Sequence, residues 1–166
     1  MALRIIVRDP DPVLRETARI VTKFNGSLHK LLTDMAETMY EAEGVGLAAP
    51  QVGISKRVIV VDVGDQHGLV EMINPEMIET FGEQLGTEGC LSIPNVSGDV
   101  LRYQKIRVTA QDRNGQPLDY TAEGFFARAI QHEIDHLNGV LFTDHAKIIH
   151  PVDPDRLRSR RRLGER

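Results

Sequence analysis

The spacing of apolar residues predicts one amphipathic helix in the first third of the chain. Apolar residues recur there every three or four positions, which is the period of a helix that buries one face. These positions are Leu28, Leu31, Leu32, Met35 and Met39. The helix is expected to follow a break at residues 25–27 and to end near Gly44. Before that break, residues 1–7 are predicted to form a strand, and a short helix is predicted after the proline-containing residues 9–12.

Four later segments have the composition and alternation of strands and are bounded by turn residues. They are residues 58–63, 69–73, 106–111 and 117–121. Asn74 and Pro75 are expected to end the second of these strands, and Asn114 and Gly115 are expected to form the turn between the last two. Residues 44–51 are rich in small residues and contain a proline, so no regular element is predicted there.

A second amphipathic helix is predicted to follow, with Thr121 as its N-cap, Glu123 in its first turn and Gly139 just beyond its end. At about 100° per residue this helix has three faces. The apolar face holds Phe126, Ile130, Ile134 and Leu137, the polar face holds Arg128, Gln131, Asp135 and Asn138, and the third face holds Phe125, Ala129, His132 and His136. We expect the polar face to be solvated and the third face to be buried. Because strands precede this helix rather than alternate with helices, we expect an α+β fold with small antiparallel or mixed sheets packed around it.

Composition indicates a globular protein of one domain. The chain has 166 residues, of which 41% are hydrophobic and 27% are charged. No apolar run approaches the length that spans a membrane, so no membrane partner is expected. The single cysteine, Cys90, excludes an internal disulfide framework and favours a reducing, cytoplasmic location.

Positive charge is concentrated at the end of the chain. Residues 156–166 contain six arginines and one glutamate, in a chain whose net charge is −4. We therefore divide the chain into a single domain over residues 1–150 and a basic tail over residues 151–166. Such a tail can bind RNA phosphates or can remain a solvated extension, and charge alone favours the extension.

The second helix carries the most specific chemical pattern. His132 and His136 are four residues apart, so on a helix both imidazoles point the same way and can bind one metal ion. Glu133 between them is suited to move the protons of a metal-activated water. An unsatisfied buried polar group costs about 1–3 kcal/mol, and a metal would satisfy both rings. A pair of hydrogen-bonded core histidines is the alternative interpretation.

Two further segments offer groups that such a site needs. A catalytic zinc-like site usually has three protein ligands, and Cys90 is a candidate third ligand, although an isolated cysteine is more often a small buried apolar residue.

Residues 44–51 formally match a dinucleotide-binding fingerprint, but a helix precedes them and Pro50 stops one from following, so we reject that interpretation. Their small residues suit a closely approaching peptide backbone, and Gln51 offers a neutral donor to an oxyanion.

Three segments together resemble the peptide deformylase family. Residues 44–51 are similar to its Gly-hydrophobic-Gly-hydrophobic-Ala-Ala-x-Gln pattern, residues 88–92 to its Glu-Gly-Cys-hydrophobic-Ser pattern, and residues 131–136 to its pattern of Gln-His-Glu followed by Asp-His. Their order and spacing agree, and the similarity extends to about Asp144. The resemblance implies metal-dependent hydrolysis of the N-formyl group from the N-terminal formyl-methionine of newly made polypeptides, with release of formate.

The resemblance also implies a role for each matched residue. The implied metal ligands are Cys90, His132 and His136, and the implied general base, later acid, is Glu133. The implied oxyanion donors are Gln51 and the Leu91 backbone N–H. The implied substrate-binding residues are Gly46, which clamps the peptide, and Val45, Phe125 and Ala129, which line the methionine pocket. Glu88 is expected to orient a metal-binding histidine, as such imidazoles commonly require.

The implied cofactor is one divalent metal ion per chain, Fe(II) in cells. Sulfur and nitrogen ligands would also accept Zn(II), Ni(II) or Co(II) in a purified sample. The implied partners are N-formyl-methionyl nascent peptides and the ribosome, because some family members use a C-terminal extension to dock near the peptide exit. No DNA partner is expected.

Three other classes of protein compete with this interpretation. A zincin-type endoprotease would take a third ligand downstream of the helix, where His145 and His150 lie, but their spacing is not that of metzincins. A metal-stabilised binding module would need a fourth protein ligand, and no second cysteine supplies one. A dinucleotide-binding protein is disfavoured by the order of the elements.

Overall fold

The computed structural model describes residues 2–146 and the backbone of residues 149–151. Its α-helices are α1 (Gly26–Glu41) and α2 (Gly124–Leu137). Its strands are β1 (Gly46–Ala48), β2 (Val58–Val61), β3 (Val70–Phe81), β4 (Gln84–Cys90), β5 (Ile93–Arg102), β6 (Lys105–Gln111), β7 (Pro117–Glu123) and β8 (Ile149–Pro151). Short 3-10 segments cover Pro12–Arg15, Ala49–Val52 and Phe142–Asp144. The arginine-rich segment lies outside the described residues, so the division into a domain and a tail stays a prediction.

The strands form two sheets whose neighbouring strands all run antiparallel. The larger sheet has the order β1-β2-β3-β6-β7, and the smaller has the order β4-β5-β8. This architecture confirms the α+β class, and both sheets are antiparallel rather than mixed. Over residues 2–146 and 149–151, neither helix is both long and apolar enough to span a lipid bilayer.

Strand β2 is buried on both faces and joins the two helices through the large sheet. Val58 and Val60 pack with the apolar face of α1, whereas Ile59 and Val61 pack with that of α2. Successive side chains of a strand point to opposite faces, so one strand serves both layers. All five predicted apolar positions of α1 are buried, which confirms its predicted face. The Asn25 side chain accepts the Leu28 N–H at 3.2 Å and caps the helix at the predicted break.

The predicted strand at residues 1–7 is wrong. Residues 2–7 form a segment without regular structure outside both sheets, and Ile5 in its middle is 86% exposed. The segment is held instead by α1, because the Ala2 N–H donates to Asp34 Oδ1 and the Arg4 N–H donates to Thr38 Oγ1, each at 2.9 Å. An apolar composition was therefore not enough to predict a strand in this segment.

Three boundaries also differ from the prediction. Strand β3 continues through Asn74 and Pro75 to Phe81, because a bulge after Ile73 takes the proline, which has no N–H, out of the ladder. Asn74 has a positive φ of 53° at this bulge, and its side chain pairs with both backbone groups of Val21. Strand β7 runs on through Thr121, so Thr121 is not the N-cap of α2, which begins at Gly124.

Two regions for which the sequence predicted no regular element are partly ordered. Residues 44–51 contain β1, the edge strand of the large sheet, and the start of a 3-10 segment. Residues 87–92 include the end of β4 and its turn into β5, a hairpin that the sequence did not suggest. The inner positions of β4 are Gln84, Gly86, Glu88 and Cys90, and their polar or small side chains hide the alternation that marks a strand.

Candidate active site

Strand β4 brings the only cysteine to the two histidines of α2. The rings of His132 and His136 lie one helical turn apart, with centroids separated by 5.1 Å. Cys90 ends β4, and its Sγ lies 3.3 Å from His136 Nε2. One donor atom from each of these three residues lies within 4.8 Å of the other two. The fold therefore collects the three predicted metal ligands from segments more than forty positions apart.

The surroundings of this cluster fit a cation. One sulfur and two imidazole nitrogens are donors that first-row divalent metals accept. Burial lowers the pKa of His132, but hydrogen bonds to Cys90 and Glu88 and the charge of Glu133 raise it well above its ordinary value, so the groups around this ring favour a positive charge, whether a proton or a metal ion supplies it. Burial takes the pKa of His136 well below its ordinary value, which keeps that ring in the neutral form that binds metals.

Glu133 lies in the same buried region and has the properties of a proton carrier. Burial raises its pKa to about 7, although the charge of His132 opposes the shift. Its Oε1 has no hydrogen-bond partner among the described residues. A Cβ added to Gly46 would lie 2.4 Å from Glu133 Oε2, so a larger residue would force this carboxylate to move. A group that titrates near neutral pH can both accept and deliver a proton.

The side-chain amide of Gln51 points at the sulfur of Cys90. Gln51 is 1% exposed, its Oε1 accepts the Ala48 N–H at 3.0 Å, and its Nε2 donates to Ser92 Oγ at 3.1 Å and to Cys90 Sγ at 3.6 Å. The N-terminal segment also contacts this region, because the Val7 N–H donates to the backbone carbonyl of Gln51 and the Asp9 N–H donates to the backbone carbonyl of Ser92. The amide is thereby fixed beside the cluster of Cys90 and the two histidines.

A cleft of about 750 Å³ opens onto this cluster. Its walls include Val45, Gly46, Gln51, Glu88, Cys90, Leu91, Phe125, Ala129, His132 and Glu133. The structure thus gathers nearly every residue that the sequence selected, while His136 lies behind the wall with 1% of its surface exposed. The expectation of a wholly buried third face is wrong at Phe125, which is 44% exposed at the rim.

Glu88 links His132 to two arginines that the sequence did not connect with the site. Its Oε1 accepts the His132 Nδ1–H at 2.9 Å. Arg102 donates two hydrogen bonds to this carboxylate, and Arg128 donates one. Burial raises the pKa of Glu88, but Arg102 and His132 outweigh burial and hold it well below its usual range. Glu88 is therefore an ionised acceptor that leaves His132 Nε2 to face the cluster.

The polar face of α2 is mostly buried, which contradicts the prediction that it is solvated. Arg128 is 4% exposed and Gln131 is 3% exposed, and only Asn138 at the end of the helix is fully on the surface. Gln131 accepts the Tyr103 N–H and donates to the Tyr103 carbonyl, both at 3.0 Å. This face packs against the β4–β5 hairpin. Its charged side chains resemble surface residues in the sequence, because their partners lie far away along the chain.

The downstream histidines are not part of the cluster in the described residues. His145 Nε2 lies 3.5 Å from Asp135 Oδ2, and His145 is not among the three clustered donors. The side chain of His150 lies outside the described residues. The third donor is therefore the upstream Cys90, which is not the arrangement that a zincin-type endoprotease would need.

Comparisons with known proteins identify the family. The family model described as polypeptide deformylase matches residues 3–151. A peptide deformylase of Symbiobacterium thermophilum is 56% identical over 93% of this chain and 72% of its own length, and one of Pelotomaculum thermopropionicum is 55% identical over 93% and 98%. The crystal structure of peptide deformylase from Thermotoga maritima superposes with a TM-score of 0.85 at 46% identity, covering 88% of this chain and 99% of that one. The chain belongs to the polypeptide deformylase family, whose members are metal-dependent hydrolases.

Proposed function

We propose that this cleft hydrolyses the N-formyl group of the N-terminal formyl-methionine of newly made polypeptides, through the residues assigned below. Membership of the deformylase family supports the reaction. The observation that carries the assignment is the 3.3 Å approach of Cys90 Sγ to His136 Nε2, in a region that also contains the buried carboxylate of Glu133.

Cys90, His132 and His136 are the proposed ligands of one divalent metal ion. When bound, such an ion supplies an acidified water as the nucleophile and a Lewis acid for the formyl oxygen. Fe(II) is the proposed metal in cells, and Zn(II), Ni(II) or Co(II) are expected to bind in purified samples, because soft sulfur and borderline nitrogen donors accept all four. A negatively charged thiolate reduces the acidity of the ion, so activity should depend on which metal is bound.

Glu133 is the proposed general base and then general acid. Its carboxylate takes a proton from the attacking water as the bond from water oxygen to formyl carbon forms. It then delivers that proton to the amine nitrogen as the bond between formyl carbon and nitrogen breaks. The products are formate and a free amino terminus. A pKa of about 7 suits both transfers at neutral pH.

Gln51 and the Leu91 backbone N–H are the proposed donors to the oxyanion. Negative charge collects on the formyl oxygen when water adds, and preorganised neutral donors stabilise that charge without binding the metal themselves. The three hydrogen bonds of the Gln51 side chain hold the amide in place before substrate arrives. Loss of one such donor typically raises the barrier by about 2.7–4 kcal/mol.

The opposite walls of the cleft are proposed to hold the substrate. Gly46 lies on edge strand β1, where a peptide backbone can approach and form strand-like hydrogen bonds. Val45, Phe125 and Ala129 are proposed to contact the methionine side chain. Gly46→Ala tests the fit, because the added carbon would push against Glu133 and should lower kcat more than it changes binding of the peptide.

Formate release by protein purified without oxygen tests the proposed roles. We expect hydrolysis of a formyl-methionyl peptide in preference to its acetylated analogue, and about one metal ion per chain by elemental analysis. Cys90→Ser and Glu133→Ala should each abolish turnover. Glu79→Ala, which removes an exposed carboxylate from β3, is the matched control and should retain it. Formate release at the wild-type rate from either site variant would refute its assigned role.

The arginine-rich end is proposed to bind the ribosome through RNA phosphates. The support is its composition, six arginines and one glutamate in residues 156–166. The test is ribosome pelleting at increasing salt concentrations, with the full chain, with a chain lacking those residues, and with a chain whose six arginines are replaced by glutamine. We expect binding that weakens with salt and is lost in both variants. Unchanged binding after truncation would remove the proposal.

A further inference from the structure

We infer that Arg128 is a positioning residue of the metal centre, which acts through Glu88 to fix the orientation of His132. This inference rests on the proposed role of His132 as a metal ligand. Arg128 precedes His132 by one helical turn on α2, and the carboxylate of Glu88 lies between the two side chains. It lies in a buried part of the molecule, since all three residues are less than 10% exposed.

Each oxygen of Glu88 has two donors. Oε1 accepts the His132 Nδ1–H at 2.9 Å and Arg102 Nη2 at 2.8 Å. Oε2 accepts Arg102 Nε at 2.9 Å and Arg128 Nη1 at 2.6 Å. Arg128 therefore supplies the shortest contact on the oxygen that does not meet His132. A rotation of the carboxylate that moved Oε1 away from the imidazole would break this contact.

Arg128 holds Glu88 in a way that Arg102 does not. Arg102 also donates to Asp135 Oδ2 at 2.5 Å, so its guanidinium is shared between a carboxylate on β4 and one on α2. Arg128 instead reaches backbone carbonyls on both strands of the hairpin. These contacts are Nη1 to Val100 O at 3.0 Å, Nη1 to Gly86 O at 3.4 Å and Nη2 to Gln84 O at 3.2 Å. The guanidinium thus sets the position of Glu88 relative to the backbone that carries it.

The neighbouring glycine shows that the sequence leaves space for this guanidinium. Gly86 lies on the same face of β4 as Glu88, two residues earlier. A Cβ at this position would lie 2.9 Å from Arg128 Nη2 and 3.0 Å from Cζ. Any larger residue would displace a group that is already fixed by several hydrogen bonds. Gly86→Ala should therefore reproduce, more weakly, the effect of removing Arg128.

We expect the loss of Arg128 to lower the affinity of the protein for metal. Removing a hydrogen-bonding partner behind a metal-binding histidine typically costs 10–100-fold in metal affinity. Arg128 acts one step further away, so we expect Arg128→Met to lower Zn²⁺ affinity by about tenfold, the lower end of that range. The KM for the peptide should stay close to the wild-type value. Arg128→Lys keeps the charge but lacks the planar fork, so it should lose most of the same affinity.

A double-mutant cycle on Zn²⁺ affinity tests the inference. Affinity is measured by competition with a chromophoric chelator, at a temperature where thermal unfolding shows that each variant is folded. Arg128→Met should lower affinity about tenfold in the wild-type background but at most about twofold with Glu88→Gln, since a residue that acts through Glu88 has nothing left to position. Arg107→Met, which removes an exposed arginine from β6, is the control and should keep wild-type affinity.

The other outcomes separate this inference from the proposed function. Equal losses in both backgrounds, or wild-type affinity in Arg128→Lys, would overturn the positioning role. Lower thermal stability with unchanged affinity would also overturn it, because it would show a purely structural arginine. If Arg128→Met fails to fold, Gly86→Ala gives the same test in the wild-type and Glu88→Gln backgrounds. Failure of the wild-type protein and the Arg107 control to bind Zn²⁺ would instead refute the proposed metal site.

Discussion

Helix α2 is held by two neighbouring faces that use different physics. Its apolar face packs Phe126, Ile130, Ile134 and Leu137 into the core beneath the large sheet. Its polar face meets the β4–β5 hairpin through ion pairs of Arg128 and Asp135, and it meets the backbone of Tyr103, the residue after the hairpin, through the amide of Gln131. The apolar contacts are non-directional, so they stabilise the helix but do not by themselves fix its exact position and rotation against the sheet.

The polar face supplies the directional part. Cys90 comes from the hairpin and the two histidines come from the helix, so the three proposed ligands meet only if these two elements pack in one register. Hydrogen bonds and ion pairs have narrow distance and angle requirements, and two of them join Glu88 on the hairpin directly to Arg128 and His132 on the helix. We therefore expect that substitutions in the apolar face lower only the stability of the fold, whereas substitutions in the polar face also lower metal affinity.

The largest effect is expected from Arg102→Met. It leaves the buried carboxylate of Glu88 with one arginine and removes an ion pair of Asp135. Breaking a buried pair by removing one partner typically costs about 3–5 kcal/mol, because a charge remains buried without compensation. Urea unfolding of wild type and variant measures this cost, and the variant should also bind metal more weakly. Full metal affinity in a destabilised variant would break the proposed difference between the two faces.

A smaller loss is expected from Gln131→Ala. The substitution leaves the Tyr103 N–H and carbonyl without their side-chain partner, and an unsatisfied buried group costs about 1–3 kcal/mol. Asn138→Ala, at the exposed end of the same face, is the control and should change the free energy of unfolding by less than about 0.5 kcal/mol. Equal losses at the two positions would contradict the assignment of Gln131 to a buried contact.

The apolar face should respond to a small deletion without any change at the site. Ile130→Val removes one buried methylene from a side chain that is 0% exposed, at a typical cost of about 0.5–1.5 kcal/mol. Urea unfolding should show this loss, while Zn²⁺ affinity and kcat at 25 °C should equal those of wild type. A matching fall in metal affinity would show that core packing also sets the geometry of the cluster.

The pattern of these faces explains what the sequence could predict. The apolar face of each helix was predictable because its residues recur at the helical period, whatever they contact. The two candidate histidine ligands were predictable from their four-residue spacing on a helix, whereas Cys90 was assigned to them only through the family resemblance, because no local pattern connects it with α2. Arg128 was predicted to be solvated, since its partner Glu88 is 40 positions away and nothing near it in the sequence marks a buried ion pair.

A buried carboxylate on α1 extends the comparison to the other helix. Burial raises the pKa of Asp34, but hydrogen bonds from the Ala2 N–H, Lys30 and Arg4 outweigh burial and lower the net pKa. Its ionised form therefore stabilises the fold above the unfolded-state pKa of about 4, and this contribution is lost as the pH falls below that value. Asp34→Asn should be less stable than wild type at pH 7, and the difference in the free energy of unfolding should shrink as the pH falls below about 4. Urea unfolding of both proteins at each pH measures this difference, and a difference that does not change with pH would contradict a stabilising role for ionised Asp34.

In the proposed site, the fold brings one sulfur and two imidazoles to a single metal ion. X-ray absorption of the Zn²⁺-loaded protein tests it most directly, because it counts the neighbours of the metal by element. We expect one sulfur at about 2.3 Å and nitrogen or oxygen neighbours at about 2.0–2.1 Å, with the sulfur absent in Cys90→Ser. A wild-type spectrum without sulfur, or one that is unchanged in Cys90→Ser, would show that Cys90 is not a ligand of the metal.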